Sequence, residues 1–252
     1  MGERTGTVTL LRHGESVANA NGLFTGSLDV PLTSDGVQES LHGAELISAA
    51  GFAIDVIFTS PLRRARSSAA LSASVLGVEA AAIRPDWRLT ERSYGALTGQ
   101  SKSDVLHRYG RESFLYWRRS VAGAPPPMSE VLHRRLAAQE PFRGAPAAAL
   151  PYTESLHDVI LRVDGFLKEA VFRLLRQGVN VLLVAHGNSL RAVCALLDDL
   201  RDDEISALNI PTGQPMVYEF DDALQPIARG GRYLDEAAAL EAAAEVAAQG
   251  GT

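Results

Sequence analysis

Apolar segments of strand length alternate with longer segments of helical period along most of the chain. Residues 7–11, 54–58 and 179–185 are apolar runs typical of buried strands. A later strand is predicted at residues 216–220, and a further short one at residues 80–83. Strands separated by helices form mostly parallel sheets with helices on both faces. We therefore expect an α/β protein with that architecture.

Start and stop signals for helices flank the amphipathic segments. Thr33-Ser34-Asp35-Gly36 offers an N-cap for a helix that ends at Gly51. Ser60 offers a cap and Pro61 a first helical residue for another helix, which runs toward Leu76. The remaining predicted helices are a long one opened by Thr153-Glu154-Ser155 that runs toward Leu175 before Gly178, one behind His186, and one at residues 237–248.

The segment from about residue 100 to 151 differs from the rest of the chain. The preceding residues 87–99 have no clear period and are expected to form an ordered loop. Two short helices are predicted at residues 101–109 and 111–119, whereas residues 121–151 are rich in alanine and proline. We expect a helical and irregular cover over one end of the sheet, within a single domain that spans residues 1–252.

Composition and charge exclude several classes of function. The formal net charge is -6, whereas nucleic acids and anionic membranes usually bind a broad basic face, so neither is expected as a partner. No apolar run resembles a membrane span or a signal peptide, and the single cysteine, Cys194, excludes an internal disulfide. These features favour a cytoplasmic protein. A small anionic substrate is still compatible, because it needs only a local cluster of cations.

Two of the histidines follow directly on strongly apolar strands. His13 comes behind residues 7–11 and Arg12, and His186 comes behind residues 179–185. Because α/β proteins place their sites at the carboxyl edge of the sheet, we expect both histidines in one pocket. His186 also opens a helix, whose free N–H groups and dipole favour an anion. The other histidines are expected to be surface or hydrogen-bonded residues: His42, His107, His133 and His157.

Motifs for other chemistries are absent from the sequence. There is no Walker loop, no dinucleotide-binding glycine fingerprint and no His-Glu-x-x-His zinc site. Gly187-Asn188-Ser189-Leu190-Arg191 departs from the nucleophile elbow of serine hydrolases at its last position. Asp198-Asp199 and Asp202-Asp203-Glu204 neither follow a strand nor lie near a histidine, so they are expected on the surface. No metal site is predicted.

Leu11-Arg12-His13-Gly14-Glu15-Ser16, with Asn19 behind it, resembles the signature of the histidine phosphatase superfamily. From about residue 7 to the C-terminus the chain is similar to the cofactor-dependent phosphoglycerate mutase branch of that family. The resemblance implies that branch's fold and its isomerase reaction, the glycolytic interconversion of 3-phosphoglycerate and 2-phosphoglycerate. The matching segments, in order, are Phe24-Thr25-Gly26, Thr59-Ser60 with Arg64-Ala65, Glu91-Arg92 with Tyr94-Gly95-Ala96-Leu97, Trp117-Arg118-Arg119, Thr153-Glu154-Ser155-Leu156, Ala185-His186-Gly187-Asn188-Ser189-Leu190-Arg191 and Asn209-Ile210-Pro211-Thr212-Gly213.

The resemblance implies catalytic roles that the residue types can fill. A neutral imidazole is a good nucleophile toward phosphorus, so His13 would accept the phosphoryl group as phosphohistidine. Arg12, Arg64 and His186 would surround the equatorial oxygens of that group, where the transition state carries its charge. Glu91 would be the general acid and base. The implied cofactor is 2,3-bisphosphoglycerate, which primes the enzyme with a phosphoryl group, and no metal is implied.

The same resemblance implies a set of substrate-binding residues. Arg118 and Arg119 would bind the carboxylate or distal phosphate of the substrate bidentately, with Lys102 and Tyr94 beside them. The implied partner is a small anionic phosphorylated substrate, and members of this branch usually form homodimers or homotetramers. The remaining members of the binding set are Asn19, Thr25, Gly26, Arg92, Gly187 and Asn188.

Two departures from the family pattern keep a second function open. The family has Asn-Glu-Arg-His-Tyr-Gly where this chain has Thr90-Glu91-Arg92-Ser93-Tyr94-Gly95, and Glu140-Pro141-Phe142-Arg143 replaces an Asp-Pro-Arg-Tyr run in the cover. A looser cover would admit water and favour hydrolysis of the phosphohistidine. The alternative is therefore a histidine phosphatase, or a mutase paralogue, acting on another small phosphorylated acid. A catalytically silent binding protein is disfavoured by the intact catalytic set.

Overall fold

A six-stranded sheet lies at the centre of residues 5–248, the part of the chain that the computed structural model describes. Across the sheet the strands follow the order β3-β2-β4-β1-β5-β6. The first four are parallel, whereas β5 runs antiparallel to β1, and β6 antiparallel to β5. The predicted α/β class with a mostly parallel sheet is confirmed. The strands are β1 (Val8–Arg12), β2 (Val56–Thr59), β3 (Ile83–Pro85), β4 (Val181–Ala185), β5 (Met216–Tyr218) and β6 (Arg232–Tyr233).

Helices fill most of the segments between the strands. Thr33 caps α2 and Ser155 caps α6, because their hydroxyl oxygens accept N–H groups of the first helical turn. Among residues 5–248 no helix is long and apolar enough to cross a membrane. The helices are α1 (Val17–Ala20), α2 (Ser34–Ala49), α3 (Arg63–Leu76), α4 (Lys102–Arg119), α5 (Glu130–Ala137), α6 (Leu156–Phe166), α7 (Phe172–Leu175), α8 (Gly187–Asp198), α9 (Asp202–Ala207) and α10 (Glu236–Ala248), with a π-helical turn, Leu167–Val171, between α6 and α7.

Side chains that alternate along the strands divide the core between the two faces of the sheet. On one face Leu10 and Leu183 belong to a cluster that includes residues of α6 and α8. On the other face Leu11, Ile57 and Leu182 pack with residues of α2 and α3. Helices therefore cover both faces, as the strand-helix alternation predicts. Burial of each such side chain stabilises the fold by roughly 1.5–3 kcal/mol.

Several element boundaries differ from the prediction by one to three residues, and two of them have a clear physical reason. Leu62, not Ser60, occupies the N-cap position of α3, and the Ser60 hydroxyl instead accepts the Leu62 N–H at 3.2 Å. The expected strand at residues 80–83 begins only at Ile83, because the three alanines before it form a 3₁₀ turn. Alanine has little preference for strands, whereas isoleucine favours them.

Asp198, at the end of α8, is buried rather than on the surface as predicted. Its carboxylate accepts hydrogen bonds from the Tyr218 hydroxyl at 2.7 Å and from the Gly230 N–H at 2.9 Å. These two donors replace the water that the carboxylate would otherwise need. The neighbouring acidic residues Asp199, Asp202 and Asp203 are exposed, as expected.

The segment from residue 100 to 151 forms the expected helical and irregular cover. The two predicted helical stretches are joined in α4, which bends at Gly110, where φ is 76° and ψ is 166°. Beyond α4, apolar side chains such as Met128, Phe142 and Leu150 pack against Leu62. Because Leu62 follows closely on β2, this cover lies beside the carboxyl edge of the sheet.

Candidate active site

The register of β1 and β4 brings His13 and His186 together. The two strands are adjacent and parallel, with Arg12 opposite Ala185, and the His13 N–H donates to the Ala185 carbonyl at 3.0 Å. Both histidines therefore leave the sheet at the same level. Their ring centroids are 4.8 Å apart in an edge-to-face arrangement.

Two contacts orient the His13 ring. Nδ1 lies 2.7 Å from the Gly14 carbonyl oxygen and must carry the proton that it donates there. Nε2 accepts the Nε–H of Arg64 at 3.3 Å. Burial, with the charges of Arg64 and Arg12, holds the pKa of His13 well below its usual value. The imidazole is therefore neutral at neutral pH. The neutral form carries a lone pair at Nε2, and this lone pair can attack phosphorus.

His186 lies at the N-cap of α8 and is fully buried. Within residues 5–248 neither of its ring nitrogens has a hydrogen-bond partner. Burial, followed by the charge of Arg64 and the proximity of His13, holds its pKa well below the usual value. A buried polar group without a partner is costly, so its position indicates a place for a ligand. His186 also lies at the N-terminus of α8, where free N–H groups favour an anion.

Arg64 and Arg12 supply positive charge beside the two histidines. Arg64 donates to the carbonyls of Leu28 at 2.7 Å and Gly26 at 3.1 Å, and Arg12 donates to the Ile210 carbonyl at 2.7 Å. Burial lowers the pKa of Arg64 to about 10, so it stays charged at neutral pH. Neither guanidinium takes part in the ion pairs found among residues 5–248. The site therefore holds positive charge that an anion would balance.

A cavity of about 270 Å³ opens at this edge of the sheet. His13, Arg64 and His186 are buried and do not belong to its lining, whereas Arg12, the neighbour of His13, does. Asn19, one of the lining residues, is fixed by its side-chain oxygen, which accepts the N–H and the hydroxyl of Ser16. The predicted site residues that line the cavity are Arg12, Asn19, Thr25, Glu91, Tyr94, Lys102 and Arg118.

The Glu91 carboxylate is held through one of its oxygens. Oε1 accepts the backbone N–H of Arg92 at 2.7 Å and the Nδ2–H of Asn188 at 2.9 Å. Asn188 also donates from Nδ2 to the Tyr94 hydroxyl at 3.1 Å. Asn188 thus links two residues of the cavity lining, and it orients the carboxylate to which the sequence assigns proton transfer.

Lys102 and Arg118 stand near opposite ends of α4, yet both line the cavity. A straight helix would separate them by about 24 Å, so the bend at Gly110 is what allows both to reach it. The Arg118 guanidinium lies over the rings of Phe24 and Phe114, at 5.6 and 5.2 Å. Burial, with the charges of Arg118 and Arg12, lowers the pKa of Lys102 to about 7. These cations suit a second anionic group on a ligand.

Several predicted binding residues lie behind the lining. Arg92 is buried, donates to the Trp117 carbonyl and packs over the Tyr94 ring at 4.7 Å. Arg119 donates to Asn209 Oδ1 at 3.0 Å. Arg92 and Asn188 therefore contact lining residues instead of facing the cavity, whereas Arg119 lines a neighbouring cavity that Lys102 also lines. Two further predicted binding residues also lie outside the lining. They are Gly26, whose carbonyl accepts a hydrogen bond from Arg64, and Gly187, the first residue of α8.

The cavity lining also includes residues to which the sequence assigned no role. Thr212 belongs to the matched Asn209-Ile210-Pro211-Thr212-Gly213 segment, and that motif was the signal for it. Three residues of α10 carry no such signal, because an alanine-rich helix has no chemical motif. None of residues 121–151 lines the cavity, so α4 is the part of the predicted cover that does. The three lining residues of α10, which we call the roof, supply the rest of the covering side. The unassigned lining residues are Glu15, Leu23, Phe24, Glu39, Pro211, Thr212, Gln214, Ala242, Glu245 and Val246.

Residues 8–138 and 127–229 match the family model of the histidine phosphatase superfamily, branch 1. Curated relatives named 2,3-bisphosphoglycerate-dependent phosphoglycerate mutase are similar over nearly the whole chain. The protein from Nocardioides sp. is 46% identical over 246 residues, which cover 98% of this chain and 99% of the relative. The protein from Rhodococcus jostii is 44% identical over 250 residues, 99% of each chain.

Solved structures share the fold at lower identity. The mycobacterial glucosyl-3-phosphoglycerate phosphatase in complex with VO3 matches with a TM-score of 0.67 and 22% identity, over 90% of this chain and 96% of that one. A putative alpha-ribazole-5'-P phosphatase from Escherichia coli matches with a TM-score of 0.63 and 21% identity, over 86% and 91%. By its sequence match, with a fold that agrees, this chain belongs to branch 1 of the histidine phosphatase superfamily.

Proposed function

We propose that this protein interconverts 3-phosphoglycerate and 2-phosphoglycerate through a phosphohistidine at His13. The observation that carries the proposal is a neutral, buried His13 whose Nε2 faces Arg64, beneath a cavity that also presents Lys102 and Arg118. The relatives named as mutases, at 44–46% identity, support the same reaction. 2,3-Bisphosphoglycerate would supply the phosphoryl group that His13 holds at the start of the cycle.

The buried donors of the site fit a small molecule with two anionic groups. Arg12 Nε and the His186 ring nitrogens lack partners within residues 5–248, and so do Nε and Nη1 of Arg118. The first group of atoms lies beside His13 and suits a phosphoryl group. Arg118, with Lys102, suits a carboxylate or a second phosphate. Both phosphoglycerates and the bisphosphate primer carry these groups.

The residues of the site account for both halves of the reaction. In the first half, Glu91 removes the proton from the free hydroxyl of 3-phosphoglycerate as this oxygen attacks the phosphorus of phosphohistidine. The bond from phosphorus to Nε2 breaks, which leaves 2,3-bisphosphoglycerate and neutral His13. Arg12, Arg64 and His186 stabilise the charge on the equatorial oxygens. In the second half, Nε2 of His13 attacks the phosphorus of the original phosphate, the bond from phosphorus to the substrate oxygen breaks, and Glu91 protonates that oxygen. 2-Phosphoglycerate leaves, and the phosphohistidine of the primed enzyme is restored.

Hydrolysis of the phosphohistidine is the second candidate activity. Ser93, which replaces the family's histidine, donates from its hydroxyl to the Pro151 carbonyl at 3.0 Å and so fastens the cover instead of loosening it. The α10 roof is held more lightly, since Ala239 is its one buried residue among those described. A roof packed so lightly would let water reach the phosphohistidine, which is what a phosphatase requires. The candidate substrate is then another small phosphorylated acid.

One assay distinguishes the two activities. Purified protein is given 3-phosphoglycerate with and without 2,3-bisphosphoglycerate, and both 2-phosphoglycerate and inorganic phosphate are measured. We expect primed isomerisation that greatly exceeds phosphate release, together with acid-labile phosphate on the protein. His13→Asn should fold and carry no such phosphate. Phosphate release without 2-phosphoglycerate would assign a phosphatase, and the absence of both products and of phosphoenzyme would overturn the proposal.

A further inference from the structure

A buried chain of hydrogen bonds runs behind Glu91 and begins at Arg191 of α8. Arg191 Nη1 donates to Asn188 Oδ1 at 3.1 Å, and Asn188 Nδ2 donates onward to Glu91 Oε1 and to the Tyr94 hydroxyl. Arg191 and Asn188 are both fully buried. The side-chain amide of Asn188 therefore bonds to protein partners, although the family resemblance implies that it binds substrate.

The orientation of the Asn188 amide follows from which of its neighbours can donate a hydrogen bond and which can accept one. A guanidinium has only donors, so Asn188 must turn its carbonyl oxygen toward Arg191. Its NH₂ group must then face Glu91 and Tyr94. The reversed amide would set NH₂ against the guanidinium and oxygen against the carboxylate, which are two repulsive contacts. Arg191 thus determines which end of Asn188 meets Glu91.

Arg191 is itself anchored and charged. Its Nη2 donates to the Ile205 carbonyl at 2.6 Å, which ties it to α9. Burial lowers its pKa to about 9, so the guanidinium is still protonated at neutral pH. A buried cation is more costly to fold than an apolar side chain of similar size. The presence of Arg191 at this buried position is explained if the hydrogen-bond chain to Glu91 depends on its fixed N–H donors.

We infer that Arg191 is a positioning residue for proton transfer by Glu91. The inference rests on the proposed function, because it takes Glu91 as the general acid and base. Oε1 of Glu91 accepts two hydrogen bonds, from Asn188 and from the Arg92 backbone N–H. With Oε1 engaged in this way, Oε2 is the oxygen that carries the proton to the leaving group. Arg191, through Asn188, holds the carboxylate in that orientation.

The test separates proton transfer from phosphoryl binding by the choice of phosphoryl donor. Phosphorylation of His13 by 2,3-bisphosphoglycerate leaves an alkoxide that needs a proton, whereas 2,4-dinitrophenyl phosphate releases a phenolate that needs none. Arg191→Met should slow the first reaction on the order of 10- to 100-fold, because general acid catalysis is impaired. It should change the second by no more than about twofold. Arg191→Lys, which keeps a donor, should recover part of the lost rate.

A double-mutant cycle gives an independent readout. In a Glu91→Gln background, Arg191→Met should cost no more than about a further twofold, because both substitutions remove the same proton transfer. Val193→Ala is the matched control, since Val193 is fully buried in the same helix without belonging to the chain. It should lower the melting temperature without distinguishing the two donors. If Arg191→Met does not fold, Asn188→Leu is put through the same measurements.

Failure of the inference and failure of the proposed function give different results. Equal slowing with both phosphoryl donors, or additive costs of Arg191→Met and Glu91→Gln, would show that Arg191 has only a structural role. If the wild-type protein forms no phosphohistidine from either donor, the proposed function itself is wrong. A wild-type protein that is phosphorylated normally, with a selective defect in Arg191→Met, supports both.

Discussion

Two regions of the candidate site, a buried floor next to the cavity and a wall that lines it, are built from different kinds of structure. The floor, formed by His13, Arg64 and His186, comes from the ends of β1 and β4 and from the first turn of α3, and all three side chains are buried. The wall, formed by Lys102 and Arg118 with the α10 roof, depends on a bent helix and a lightly packed one. Strand register and backbone carbonyls hold the floor, whereas side-chain packing and loop hydrogen bonds, such as that from the Lys102 N–H to the Gly22 carbonyl, hold the wall. The chemistry of phosphoryl transfer thus rests on the sheet, and substrate recognition rests on elements that can change without disturbing it.

The largest expected effect comes from removing the Arg64 guanidinium, which is part of the floor. We expect Arg64→Met to lower kcat on the order of 100- to 1000-fold, because one fixed donor to the transferring oxygens is lost. The contact with His13 Nε2 is lost as well. The measurement is kcat together with the rate of phosphohistidine formation. Arg63→Met is the matched control, since Arg63 is the exposed neighbour in the same turn of α3. Equal losses in both variants, or a rise in KM at constant kcat, would contradict this role.

The two histidines of the floor can be predicted from the sequence, because each follows directly on an apolar strand, whereas Arg64 was assigned by the family resemblance. His13 and His186 come straight after apolar runs, and parallel pairing then places them together. The wall cannot be predicted in this way. Glu245 reaches the cavity only because α10 packs over it, and residues 121–151 look like a roof in sequence but pack beside Leu62. Contacts between distant segments leave no local pattern, so family motifs were needed for Lys102 and Arg118.

The charge of Lys102 should tune substrate binding at the wall. Burial, with Arg118 and Arg12, lowers its pKa to about 7, so the free enzyme loses this charge as the pH rises above 7. A bound anion favours the protonated lysine, and binding therefore takes up a proton. KM should rise by up to about tenfold per pH unit between pH 7 and 8.5, where the substrate phosphate is already a dianion.

Lys102→Met should remove this pH dependence and raise KM about tenfold at pH 7, with a smaller effect on kcat. The measurement is KM for 3-phosphoglycerate across the same pH range. Lys168→Met is the matched control, because Lys168 is exposed and pairs with Asp164 far from the cavity lining. A KM that still rises with pH in Lys102→Met would show that another group titrates.

The bend of α4 is the feature of the wall that a single small substitution can test. Gly110 has φ 76°, and an added Cβ would meet no atom within 4 Å, so Gly110→Ala strains the backbone without causing a clash. We expect the free energy of unfolding to fall by about 1–3 kcal/mol, measured by urea denaturation. KM should rise only a few-fold, since Lys102 and Arg118 shift relative to each other while the floor is untouched.

Gly165→Ala provides the comparison that makes the Gly110 result decisive. Gly165 lies within α6, and an added Cβ there also meets no atom within 4 Å. Because its backbone is helical, alanine should stabilise the fold by about 0.5–1 kcal/mol. If Gly110→Ala is equally stabilising, the bend is not needed to bring Lys102 and Arg118 to one cavity. If Gly110→Ala instead lowers kcat at constant KM, the bend supports the floor, and the separation between chemistry on the sheet and recognition on the helices fails.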